Sequence, residues 1–270
     1  MRTIGLLGGM SWESSIEYYR IINQRVRQRL GGWHSARSVM FSFDFHEIER
    51  LQHTGDWEEA GRRLGDAARR VEAAGAELLV LCTNTMHRLA DEVQAAIGIP
   101  LVHIADATAQ ALRGLAVDRV GLVGTRYTME QDFYRGRLAR HGFQVLVPDP
   151  PAQEAVHRII YDELVHGIVR PASRDRYLDV IDALAGRGAR AVILGCTEIE
   201  LLIKDGDADI PLLETARIHA ETAADVAVDG TDPPAPPAGA ETTVTGPSTS
   251  PRAAAGAWRR PTTPRGWRRS

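Results

Sequence analysis

Two stretches of this chain, residues 75–85 and 188–198, lie on one another without a gap, each position in the second matching the one 113 residues earlier. Gly75-Ala76 matches Gly188-Ala189, the apolar run 78–81 matches 191–194, and Cys82-Thr83-Asn84-Thr85 matches Gly195-Cys196-Thr197-Glu198. A short apolar run without polar alternation is the mark of a strand covered on both faces, as in a parallel sheet. Ligands in such sheets bind beyond the carboxyl ends of the strands, which is where both copies carry small hydroxyl and thiol residues. A second match in the same order, residues 4–9 against 120–125, is accompanied by Tyr18-Tyr19-Arg20 echoed as Phe133-Tyr134-Arg135. The chain therefore reads as two related halves, each offering a polar strand end to a shared cleft.

Apolar runs near 3–7, 38–43, 78–81, 101–103, 120–123, 144–147, 191–194 and 211–213 alternate with helical patterns at 14–28, 57–74, 91–96, 105–113, 129–140, 155–165, 174–186 and 215–227. This alternation predicts an α/β protein, with parallel sheets and helices on both faces of each. The expected architecture is two similar α/β/α lobes related by a pseudo-twofold duplication, with the active site in the cleft between them. Residues 1–104 plus 210–229 are expected to form the first lobe and 105–209 the second. The final helical pattern, with Thr215 and His219, requires the chain to cross back to the first lobe near Ile210.

At 270 residues the chain can bury a sizeable core. Composition is globular through about residue 229, and then it changes. Residues 231–270 hold eight of the 14 prolines, six arginines and only two acids, Asp232 and Glu241. Such a segment has too little apolar surface to offset its ordering entropy, so 230–270 is expected to be a disordered Pro/Arg-rich tail. The tail carries four net positive charges, which leaves about −7 on the rest of a chain whose total is −3. An acidic body argues against nucleic-acid binding. No apolar run approaches the ~20 residues of a membrane span, and the first nine residues lack the pattern of a secretory signal, so the expected location is cytoplasmic. The two cysteines, one at a strand end in each half, do not form a disulfide framework.

Several familiar chemistries are set aside by the residues themselves. Gly5-Leu6-Leu7-Gly8-Gly9 is not the spacing of a dinucleotide or phosphate loop and reads as a tight strand-to-helix turn. His46-Glu47-Ile48-Glu49 begins like a zinc-protease motif, but Arg50 stands where the second histidine belongs, so no metal is expected. His87 and His103 lie near strand ends, and His103 reads as structural. Lys204 is the sole lysine among 32 basic residues and sits past a strand end, which argues against pyridoxal phosphate. No cofactor is expected.

The paired strand ends, Cys82-Thr83-Asn84-Thr85-Met86-His87 and Gly195-Cys196-Thr197-Glu198, resemble the signature motifs of the aspartate/glutamate racemase family of cofactor-independent amino-acid racemases. Residues 8–12, 124–130 and 160–164 extend the resemblance over residues 1–229. It implies one proton-carrying group on each side of the substrate α-carbon, one removing a proton and the other returning one. In the family the first thiol immediately precedes the Asn-Thr segment, and here that position is Thr83, with Cys82 one residue earlier. The internal alignment independently pairs Thr83 with Cys196 and Cys82 with Gly195. Since successive strand residues face opposite ways, Cys82 should point away from the cleft; in the rival reading a twisted loop makes Cys82 the base.

The resemblance implies racemisation of an acidic amino acid, aspartate or glutamate, with Cys196 as the base serving the L-enantiomer and Thr83 as the opposing donor. A thiol's ordinary pKa of about 8.5 can be lowered enough to supply thiolate near neutrality, whereas a threonine hydroxyl can only give or relay a proton. Asn84, Thr85 and Thr197 would hold the α-carboxylate and amino group, with Glu198 fixing the ammonium. Met10, Gln52 and Glu163 would also approach the substrate, Gln52 standing near where the family often has an arginine for the side-chain carboxylate. The resemblance allows a homodimer. Other chemistries of the superfamily (hydantoin racemase, maleate isomerase, decarboxylase) and a catalytically weak amino-acid-binding module remain alternatives. Deleting residues 231–270 is expected to leave catalytic rate and melting temperature within error, because the segment lacks a core-forming pattern; a fall in melting temperature on truncation would show that it docks.

Overall fold

A computed structural model describes residues 1–237; the expectation for 238–270 falls outside them. In the first half, β1 (Ile4–Gly8), β2 (Ser38–Ser42), β3 (Leu78–Leu81) and β4 (Leu101–Val102) form a parallel sheet in the order β2-β1-β3-β4. In the second half, β5 (Arg119–Gly124), β6 (Gln144–Leu146), β7 (Val192–Gly195) and β8 (Leu212–Glu214) repeat that order as β6-β5-β7-β8, again all parallel. Identical topology in two halves with matching strand sequences is the structural counterpart of the internal repeat.

Helices cover both faces of each sheet. α1 (Trp12–Leu30) and α10 (Thr215–Asp229) cover one face of the first, with Tyr18, Ile22, Ala216, Ala220 and Ala224 against Ile4, Leu6, Leu78 and Val80. α2 (Phe45–Thr54), α3 (Trp57–Ala73) and α4 (Ala90–Ala95) cover the other, where Ile48, Leu51, Leu64 and Val93 meet Leu7, Leu79 and Leu81. On the second sheet, α5 (Ile104–Gly114) and α7 (Asp132–Arg140) lie on one face, and α8 (Pro150–Asp162) and α9 (Pro171–Gly186) on the other. Two cores per sheet explain why β1, β3, β5 and β7 read as unbroken apolar runs.

Three sequence expectations are corrected. The stretch 46–49, absent from the helical patterns expected from sequence, is the start of α2: Asp44 caps it by accepting from the His46 N–H at 3.1 Å, and Ile48, Leu51 and Gln52 bury one face at helical spacing. The single helix expected over 129–140 is broken at Gln131, whose extended backbone (φ −90°, ψ 151°) separates α6 (Arg126–Glu130) from α7. The return to the first lobe comes later than Ile210. β8 pairs with β7, and the Val192 N–H bonds the Pro211 carbonyl at 2.9 Å, so the ladder groups of 211–214 are satisfied by the second sheet and the crossing falls at the start of α10.

The β1–α1 turn has a steric requirement of its own. Gly9 has φ +82°, and a Cβ there would lie 2.2 Å from the Phe43 carbonyl oxygen. Gly55, which ends α2 at φ +73°, has open space around the same position. Gly55→Ala is therefore expected to cost only about 1–2 kcal/mol for its left-handed backbone. Gly9→Ala adds a backbone clash and is expected to cost about 3 kcal/mol or more. Thermal denaturation of the two variants checks the difference, and equal melting temperatures would overturn it.

Candidate active site

The carboxyl ends of β1, β3, β5 and β7 converge on a cleft between the lobes, with about 470 Å³ of empty space including its open mouth. Thr83, Asn84 and Thr85 reach it from the end of β3, and Gly195, Cys196, Thr197 and Glu198 from the end of β7. Met10 enters from the β1–α1 turn, Gln52 and Phe45 from α2, and Thr125, Ile160, Tyr161 and Val165 from the second half.

Strand alternation decides which side chains arrive. Along β3, Leu78 and Val80 belong to the core under α1 and α10, while Leu79 and Leu81 belong to the core under α2–α4. Cys82 continues the ladder, its N–H bonding the Leu7 carbonyl at 2.9 Å, and alternation delivers it to the α1/α10 core. It is fully buried there, and burial pushes its thiol far above the ordinary cysteine range. Along β7, Val192, Leu194 and Cys196 share one core face, and Ile193 lies on the other. Gly195, the counterpart of Cys82, has little room for a side chain: a Cβ would lie 3.0 Å from Leu122 Cδ1 and 3.1 Å from the Val123 carbonyl oxygen, so its neighbours would have to give way. Thr83 and Cys196 thus occupy equivalent positions in the two halves, each 8% exposed and each on the cleft wall.

Thr83 is held by its main chain. Its N–H bonds the Leu81 carbonyl at 2.8 Å, and its own carbonyl is 2.8 Å from Nδ1 of His87. His87 Nε2 accepts from the Ile104 N–H at 3.2 Å, so the ring hydrogen sits on Nδ1 and donates to Thr83. Burial, first, and then the nearby His219 hold His87 well below the ordinary histidine range, which keeps it in that neutral form. Asn84 donates from Nδ2 to Thr215 Oγ1 at 3.1 Å, while its buried Oδ1 has no hydrogen-bond partner among the described residues.

Cys196 has a different neighbourhood. Its Sγ–H donates to Glu198 Oε2 at 2.9 Å, and Thr197 Oγ1 donates to the same oxygen at 2.8 Å. The other carboxylate oxygen accepts from Ser11 Oγ at 2.8 Å and Ser14 Oγ at 3.0 Å, across the interlobe boundary. Ser11 is the N-cap of α1 and also accepts from the Ser14 N–H at 3.3 Å. Burial, then the charge of Glu198, then the hydrogen bond to it push the Cys196 thiol well above its ordinary value. This corrects the expectation of a lowered thiol pKa: the residue two positions along the chain is an anion, and an anion favours the protonated thiol.

Of the residues expected from sequence, Thr83, Cys196, Met10, Gln52, Asn84, Thr85, Thr197 and Glu198 line this one cleft. Glu163 does not. Its carboxylate accepts from Ser173 Oγ at 2.6 Å and faces Arg170 at 3.6 Å, at the α8–α9 junction. Sequence reasoning missed Ser11 and Ser14 as partners of Glu198, although their spacing at the head of a helix is a capping signal. It also missed Phe45, because α2 was not expected, and Thr125, whose position in the repeat matches Gly9.

The Asp/Glu/hydantoin racemase family model matches residues 7–223. A Yersinia pestis protein, provisionally described as an Asp/Glu racemase, is 55% identical over 84% of this chain and all of its own, with a TM-score of 0.81. An aspartate racemase homologue from Pyrococcus horikoshii is 33% identical over 84% of this chain and all of its own, with a TM-score of 0.75. The broad-specificity amino-acid racemase RacX of Bacillus subtilis is 22% identical over 62% of this chain and 72% of its own length. With the family model running from the first strand into the last helix, this chain belongs to the Asp/Glu/hydantoin racemase family.

Proposed function

We propose that this protein is a cofactor-independent amino-acid racemase in which Cys196 and Thr83 exchange the α-proton from opposite sides of the substrate. The observation that carries this reading is that the two residues come from equivalent positions at the carboxyl ends of β7 and β3 and line one cleft otherwise rich in small hydroxyl and amide groups. Cys196 takes the α-proton of the L-enantiomer as thiolate, and the Thr83 hydroxyl delivers a proton to the other face, recovering one from solvent. The buried Asn84 Oδ1, an acceptor without a donor among the described residues, suits the substrate ammonium, and Thr85 and Thr197 suit its α-carboxylate.

Glu198 supplies the means of activating the thiol. In the free site the thiol proton sits between sulfur and carboxylate, and passing it to Oε2 exchanges one anion for another without adding charge to the cleft. An incoming ammonium beside Glu198 offsets the charge that keeps the thiol protonated. Substrate binding and base activation are thereby the same event. The expectation of aspartate or glutamate as substrate is supported by the family and by the Pyrococcus horikoshii homologue; RacX supports a wider range.

The test is α-proton exchange in deuterium oxide, followed by NMR and chiral chromatography. Cys196→Ala is expected to lower exchange by about 10³-fold for every substrate, and Cys82→Ala to retain most activity. A dead Cys82 variant would return the base to the first motif. Because the Thr83 hydroxyl is a poor base, deuterium should enter recovered L-substrate faster than D-product accumulates. Thr83→Cys should speed inversion by at least about tenfold; no gain in either direction would sink the Thr83 assignment.

Glu198→Gln removes the charge that raises the Cys196 thiol, so its alkylation by iodoacetamide is expected to begin at lower pH than in the unaltered protein. The sign follows from the thiol: less negative charge nearby means easier deprotonation. An unchanged alkylation profile would show that burial alone sets the thiol. Exchange activity in this variant should nonetheless fall, since the acceptor for the thiol proton and the partner of the ammonium are lost together.

A further inference from the structure

The end of the cleft that would receive the substrate side chain has a composition of its own. Among the described residues lining the cleft, Glu198 is the one that carries a formal charge, and it is negative. Apart from the strand-end groups, the wall is Met10, Phe45, Ile160, Tyr161 and Val165, with the amide of Gln52. Arginines that follow cleft residues in the chain are engaged elsewhere. Arg88 lies 4.4 Å from the centre of the Trp57 ring and bonds Gln131, and Arg126 pairs with Glu154 at 2.6 Å.

We propose that this site takes an amino acid with a neutral, hydrogen-bonding side chain, of the carboxamide type, in preference to the carboxylate side chain of aspartate or glutamate; the proposal rests on the racemase reading of Thr83 and Cys196. A side-chain carboxylate would enter a largely desolvated cleft that already holds the Glu198 anion and would meet apolar walls and neutral dipoles, a poor exchange for its hydration. The neutral isostere has the same shape without that cost. Gln52 also fits it. Its Nε2 is spent on the thioether of Met86 at 2.9 Å, a weak acceptor that a substrate carbonyl oxygen would displace. The Tyr161 phenol is pushed up by burial and stays protonated, a donor and acceptor against which an amide, itself both, can pair on either side. A carboxylate can only accept.

The comparison that isolates charge uses isosteric pairs, L-asparagine against L-aspartate and L-glutamine against L-glutamate, with the full chain in deuterium oxide and α-deuteration read by NMR. The amides are expected to show kcat/KM for exchange at least tenfold above their acids. Acids equal to or faster than the amides would overturn this proposal while leaving the racemase reading intact. Exchange with none of these four, nor with L-alanine, L-methionine and L-serine, would overturn the racemase reading, and this proposal with it. Gln52→Arg is expected to move the acid-to-amide ratio at least tenfold toward the acids, chiefly through KM for the acids. A ratio unmoved in a variant that still exchanges any of these amino acids would remove Gln52 from the side-chain end and overturn the assignment.

Discussion

The carboxylate of Glu198 accepts hydrogen bonds from Ser11 and Ser14 at the head of α1 and from Cys196 and Thr197 beyond β7. Two of these donors belong to the first lobe and two to the second, so one side chain fixes the spacing of the halves at the point where they enclose the cleft. The positive end of α1 makes the location favourable for an anion. The same anion adds to burial in keeping protonated the thiol that the proposed chemistry needs most. The interlobe joint and the reactivity of Cys196 are therefore one electrostatic arrangement: a change in how the lobes meet alters the charge felt by the thiol, and a change in the thiol's protonation alters the joint.

This coupling favours the protonated thiol in the free protein. A permanently ionised thiol at the bottom of an open cleft would be exposed to oxidation and alkylation, whereas a buried thiol bonded to a carboxylate is protonated and inert. A ligand with a cationic group is what shifts the balance, and the amino-acid backbone carries one. In the proposed mechanism, specificity for an ammonium-bearing substrate and activation of the base then arise from a single charge. Thr83 has no comparable partner: its main chain is clamped by His87, but its hydroxyl stands beside no ionised group among its hydrogen-bond partners in the described residues. The two faces of the cleft are equivalent in backbone and unequal in charge.

The fold was largely legible because each half obeys rules that act locally. β1, β3, β5 and β7 are apolar runs without alternation, and the helices between them are long and periodic. The register at the cleft was legible for the same reason: the repeat pairs Thr83 with Cys196, and alternation sends Cys82 into the α1/α10 core. What escaped was decided by contacts between distant segments. α2 was missed because a charged run beginning with His46 has weak helical periodicity until Ile48, Leu51 and Gln52 are seen to share a buried face. The late crossing after β8 depends on hydrogen bonds to β7. The upward shift of the Cys196 thiol pKa depends on burial and then on Glu198 folding back onto the thiol, a geometry that a spacing of two residues permits without requiring. Glu163 was drawn toward the cleft by motif resemblance and is instead occupied by Ser173 and Arg170.

The repeat also explains why the two strand ends could diverge without loss of the fold. At the first, Cys82 fills a core position and Thr83 faces the cleft; at the second, the core position around Gly195 is tight for a Cβ, and the thiol stands one residue later, on the cleft. A strand end has two kinds of position, one constrained by packing and one by chemistry, and a one-residue step exchanges them. Packing fixes what may occupy 82 and 195, where a misfit side chain meets backbone or a filled core. At 83 and 196 the side chains are buried at the cleft wall, where a hydroxyl and a thiol are both small enough to fit. In the proposed mechanism, substitution at such a position changes the pair of proton carriers from symmetric to asymmetric while leaving each parallel ladder intact, which places the proposed functional difference between the lobes in electrostatics and not in architecture.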